Sequence, residues 1–102
     1  MALAKKTLTT SISTVYTSTN DSATTSIFFT NDNAAARTIS VYLVANSGAA
    51  DATTRIIKDL SIDGADTYIL SAEKIVLANG DTIQAICSHA TSVYATVSYV
   101  SI

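Results

Sequence analysis

Apolar and polar residues alternate along most of the chain with a period of two, the spacing that puts successive side chains on opposite faces of a strand. Runs of Val, Ile, Thr, Tyr and Phe are broken by clusters of Asn, Asp, Gly and Ser, and little of the chain repeats at the helical period. The pattern predicts strands over residues 8–18, 23–31, 36–46, 53–62, 66–70, 74–77, 82–88 and 92–101, with residues 1–7 as an N-terminal arm. Short strands with apolar sides cannot all bury them in one open sheet. The expected fold is therefore all-β: a single domain over residues 1–102, built as a two-layer antiparallel β-sandwich of seven or eight strands, immunoglobulin-like or jelly-roll-like.

The same period assigns faces. In "RTISVYLVAN" the positions Ile39, Val41 and Leu43 form an apolar side, and Thr38, Ser40, Tyr42 and Val44 alternate opposite. In "ATTSIFFTN" Ile27 and Phe29 share the core side, which turns Phe28 outward with Ser26 and Thr30. The stretch "SVYATVSYVSI" places Val93, Ala95, Val97 and Tyr99 inward and Tyr94, Thr96, Ser98, Val100 and Ile102 outward. With Ile83, Ala85 and Cys87 inward, Ile86 joins the outer set. Phe28, Tyr42, Val44, Ile86, Tyr94, Val100 and Ile102 thus make the outer faces more apolar than water contact alone requires, and they are the candidate interface residues.

Asn31, Asp32 and Asn33 have the short polar side chains that favour turns, and they predict a tight hairpin between strands 23–31 and 36–46. Asp63-Gly64 and Asn79-Gly80 mark further reversals. Residues 45–51 read as a looser loop, whose alanines are compatible with a short helical turn near residues 49–53. Proline is absent, so edge strands need another guard. Arg55, Lys58 and Asp59 put charge along strand 53–62, a common way to blunt an edge, and burial against a neighbouring subunit would serve the same end.

Composition narrows the function classes. Only 14% of residues are charged, against roughly 25% in ordinary soluble domains, and Thr and Ser fill the gap. A net charge of -2 with Lys5 and Lys6 as the only adjacent basic pair does not supply the phosphate-neutralising patch of a nucleic-acid binder. No stretch approaches the roughly 20 apolar residues of a membrane span, and "MALAKKTLTT" lacks the apolar core of a secretory signal. The expectation is a protein made in a reducing cytoplasm, where the single cysteine, Cys87, serves as a small apolar side chain.

Catalytic chemistry has little to draw on. His89 is the only histidine and lies two residues from Cys87, a spacing that seldom gives a nucleophile and base the aligned bond they need. One Cys and one His fall short of a structural zinc site, and Asp63, Asp66 and Asp81 sit where turns favour aspartate for backbone reasons. The calcium-loop spacing is missing around Asp63 and Asp66. The expectation is a protein with no catalytic residues, no cofactor and no metal.

In their order, "TVYTSTNDSATTSIFFTNDNAAARTISVYLV", "LSIDGADTYILSAEKIVLANGDTIQAICS" and the closing "SVYATVSYVSI" resemble the small β-sandwich structural proteins of tailed-bacteriophage virions. The resemblance spans residues 15–102 and is most specific at the strand, Asn-turn, strand unit of residues 27–44 and at "LANGDTI". It implies a non-enzymatic virion component, a capsid decoration (cement) protein that binds the major capsid protein and stabilises the head. The partners it implies are the major capsid protein or other virion proteins and further copies of the chain, as a dimer or trimer, with no nucleic acid or membrane. The alternatives are a tail or receptor-binding module of the virion and, in a different class, a free cytoplasmic binding domain.

Overall fold

The computed structural model describes residues 2–70 and 75–102. Among these, the strands are β1 (Ala2–Thr7), β2 (Ser13–Thr17), β3 (Ser22–Asn31), β4 (Arg37–Val44), β5 (Arg55–Ile62), β6 (Thr67–Leu70), β7 (Val76–Leu77), β8 (Thr82–Cys87) and β9 (Val93–Ser101). They form two antiparallel sheets: one in the order β1-β9-β3-β6, with β7 also on β3, and one in the order β2-β8-β4-β5. The chain crosses between the sheets at every connection except β4 to β5 and β6 to β7. This order is that of a jelly roll rather than an immunoglobulin sandwich.

The expected strands map onto β2 to β9, with one addition and one correction. The segment read as an arm is the edge strand β1, paired with β9 from Ala2↔Tyr99 to Thr7↔Tyr94. Only Ala4 of its six residues is even half-buried, so β1 is held by its backbone ladder and has no apolar face for the sequence pattern to reveal. Residues 8–12, read as the start of a strand, are the connection into β2. Lys74 of the expected strand 74–77 and Met1 of the arm lie outside the described residues. The correction concerns residues 31–36: β3 and β4 lie in different sheets, so this turn is an arch across the sandwich and not a hairpin. The one in-sheet pair of consecutive long strands is β4 with β5, joined by the loop that had looked loosest. That loop holds a turn in which Thr54 N donates to Asp51 O at 3.1 Å, and no helix.

The core lies between the sheets and follows the alternation. Ile27, Phe29, Val93, Ala95 and Val97 enter from the first sheet, and Ile39, Val41, Ile83, Ala85 and Cys87 from the second, each at most 3% exposed. Tyr16 of β2 and Tyr99 of β9 meet across the layers with ring centroids 4.3 Å apart and planes tilted by 33°. The packing is uneven from side to side. Strands β1 and β2 approach each other and close one flank. On the other flank the gap between β5 and β6 is an apolar cleft of about 380 Å³, lined among the described residues by Leu43, Ile56, Ile57, Tyr68, Leu70 and Ile75.

Polar side chains tie the loops at each end. Asn31, fully buried at the end of β3, donates from Nδ2 to the carbonyls of Ala35 (2.9 Å), Ile62 (3.0 Å) and Asp63 (3.2 Å), and its Oδ1 accepts from Asn33 N at 3.0 Å. It joins the β3–β4 arch to the β5–β6 arch. At the opposite end the Asp81 carboxylate accepts from Asn46 N (2.9 Å) and Ala78 N (3.0 Å), while its backbone carbonyl accepts from Ser18 N (2.8 Å). Two glycines are required by contact: a Cβ on Gly64 would lie 2.1 Å from the Ala34 carbonyl oxygen, and Gly80 sits at φ +88° against the Asn46 side chain.

Candidate protein–protein interface

Cross-strand partners in an antiparallel sheet share a face, so the register lays out the exterior of the first sheet in rows. One row is Thr7, Tyr94, Thr30 and Thr67; the next is Lys5, Thr96, Phe28 and Ile69. A third holds Leu3, Ser98 and Ser26, and a fourth Val100, Ala23 and Val76. Among the described residues, Lys5 is the only charged one in these rows. Tyr94 (40% exposed), Leu3 (61%), Ile69 (50%) and Val76 (66%) stand out of the surface, with Ile102 (68%) just beyond the end of β9. The hydroxyls between them are partly engaged with each other: Thr25, at a bulge in β3, donates to Ser98 Oγ at 2.7 Å.

Four of the seven residues predicted as contacts therefore belong to one surface. Phe28 and Val100 lie on it half-buried, Tyr94 is exposed on it, and Ile102 flanks it. Ile86 is half-buried on the exterior of the other sheet, away from this group. Tyr42 and Val44 also point to that other exterior, but they are covered by their own chain, at 6% and 4% exposure, and are withdrawn as contact residues. Gln84 and Arg55 flank Tyr42 across the strands. The β4–β5 loop folds against Val44, close enough that a Cβ on Gly48 would lie 3.4 Å from Val44 Cγ1.

Leu3, Ile69 and Val76 were not anticipated. Leu3 sits in a segment whose strand pairing the pattern did not show, and Val76 in a two-residue strand too short to display a period. Ile69 was legible, since Thr67 and Ile69 alternate with Tyr68 and Leu70 in a strand placed correctly.

The residues with chemical potential are dispersed. Cys87 is buried in the core, whereas His89 is exposed in the β8–β9 loop with its Nδ1 3.1 Å from Ser88 Oγ. Asp66 Oδ1 accepts from Thr67 N at 2.8 Å, as a turn aspartate does. No group of three or more His, Cys, Asp or Glu gathers among the described residues. Tyr16 OH donates to Ser22 Oγ (2.9 Å), which is 2.6 Å from Ser18 Oγ, a buried hydroxyl chain that pins β2 to β3. The Thr53 hydroxyl and amide bonded to Asp51 hold its carboxyl below the usual carboxylate range. No helix of the described residues is long and apolar enough to cross a membrane.

No family model, characterised protein or solved structure matches the chain.

Proposed function

We propose that this protein is a non-enzymatic structural module of a tailed-phage virion, a head decoration protein whose exterior β1-β9-β3-β6 face docks on the major capsid protein. The observation that carries the docking is that face: Leu3, Ile69, Val76, Tyr94 and Ile102 are exposed there around Phe28 and Val100, with a single lysine among the described residues of the rows. Large apolar side chains gathered on one side of a small domain mark contact surfaces more often than solvent-facing ones. The virion setting rests on the sequence resemblance quoted above, and jelly rolls are used both in capsid and in lectin domains.

The mechanism is adhesive. A contact of roughly 800 Å² per partner is enough for a specific interface, and repetition over a shell multiplies it through effective concentration. Purified protein added to expanded capsids should raise the temperature at which they dissociate, because binding to the assembled state stabilises it by mass action. Unchanged capsid melting at saturating protein rejects the cement role. Incorporation at tens of copies or fewer per particle, rather than hundreds, would move the assignment to a tail module.

A further inference from the structure

Among the described residues, the sandwich has free strand edges at β1 and β6 in one sheet and at β2 and β5 in the other. Three of them carry a device against pairing. Strand β5 has Arg55, Lys58 and Asp59 and two register shifts, β2 has a register shift at Val15, and β1 has Lys5 and Lys6. Strand β6, Thr-Tyr-Ile-Leu, has no charge, no bulge and no proline within its four residues, and among the described residues only Asp66, through Thr67 N, covers any of its edge. A thinly guarded edge is a template for an added strand.

We infer that the free edge of β6 receives β1 of a second copy of this chain, joining the two first sheets head to tail. Hydrogen-bond phase supports the junction. Leu8 N donates to Val93 O, which makes Leu8/Val93 a hydrogen-bonded pair and, by alternation, turns the backbone groups of Leu3, Lys5 and Thr7 away from β9. Asn31 N donates to Asp66 O, which in the same way turns those of Thr67 and Ile69 to the outer side of β6; there Thr67 N is taken by Asp66 Oδ1 at 2.8 Å, and the Thr67 carbonyl and the Ile69 groups face outward for a new strand. All five of these residues lie on the exterior face. Strands β1 and β6 also run in opposite directions, so β1 of a copy in the same orientation meets β6 antiparallel.

Charge and shape select one register. With Ile69 opposite Leu3 of the second copy, Thr67 faces Lys5 and Asp66 faces Lys6. Two exposed aliphatic side chains then pair across the junction, and Lys6, which would repel a second β1, meets a carboxylate instead. Ala2 and Ala4 of the incoming strand fall on the inner side, over the apolar cleft beside Tyr68 and Leu70. The contact is heterologous, so it closes into a ring or continues as a filament. It needs no virion protein and stands or falls apart from the docking reading.

Cross-linking tests it directly. Hydrogen-bonded cross-strand pairs have Cα atoms about 5.5 Å apart, within disulfide reach. Leu3→Cys and Ile69→Cys proteins, mixed and mildly oxidised, should form a disulfide-linked pair, and neither should do so alone; the native Cys87 is buried. In sedimentation, Lys6→Glu should weaken self-association of the otherwise unaltered chain about tenfold, and adding Asp66→Lys should restore it, with each variant's fold checked by circular dichroism. A chain that remains at 10.6 kDa at the highest concentrations overturns the inference. So does Ile69→Cys cross-linking to itself while the mixture yields no Leu3–Ile69 link, which would point to a two-fold β6 contact.

Discussion

Tyr42 and Tyr94 occupy matching places, each on the outward side of a strand with neighbours on both flanks, yet Tyr42 is 6% exposed and Tyr94 40%. Their neighbours explain the difference. Tyr42 stands between Gln84 and Arg55, long side chains that can lie along a ring, whereas Tyr94 stands between Thr7 and Thr30, which are too short to cover one. Val44 and Val100 repeat the contrast: the β4–β5 loop packs on Val44, and Val100 has Ala23 beside it. One exterior is covered by its own chain, and the other leaves large apolar side chains exposed. Outward-pointing apolar residues are thus contact candidates only when what flanks them is small.

The contrast can be tested from its strongest consequence downward. Tyr42→Ser should destabilise the isolated domain by about 3 kcal/mol in urea unfolding, as a buried large side chain does when truncated. A cost near zero would make the two exteriors equivalent and return Tyr42 to the candidate interface. Asn31→Ala should cost about 2 kcal/mol, because the carbonyls of Ala35, Ile62 and Asp63 lose a shared donor where the arches from the two sheets meet. Hydrogen exchange should then show both arches loosening together; loosening of one alone would mean that Asn31 does not couple them.

Tyr94→Ser and Val100→Ser should each change the stability of the isolated domain by no more than about 0.5 kcal/mol. Their effect should appear in capsid incorporation, since an aromatic anchor at an interface centre costs about 2 kcal/mol or more when removed. Unfolding of the domain by Tyr94→Ser would invert the facing of β9, and intact incorporation of the double variant would make that face ordinary solvated surface.

The smallest effect concerns the loop that covers Val44. The Asp51 carboxyl titrates below its unfolded value, so the stability it lends to the loop is present above that value and lost as pH falls through the folded pKa. Amide exchange at Thr53 and Thr54 should therefore accelerate below about pH 4 relative to other exposed turns. Equal acceleration in an Asp51→Asn variant would show that the Thr53 contacts do not depend on the charge.

The alternation of residue types by itself determined the class of fold, the positions of β3 to β6, β8 and β9 and the inward sets on β3, β4, β8 and β9, because burying apolar side chains at a period of two leaves few other solutions. It also marked β5 as a guarded edge, and the structure places β5 at the edge of its sheet. Tertiary structure alone decided the rest. Strand β1 exists through its ladder with β9, and a backbone ladder leaves no signature in side-chain type. The Asn31–Asn33 turn has the residues of a hairpin but serves as an arch, since turn chemistry reverses a chain without choosing the sheet it enters. The exposures of Tyr42 and Tyr94 depend on residues as distant in sequence as Gln84 and Thr7, brought alongside only by the jelly-roll order of the strands.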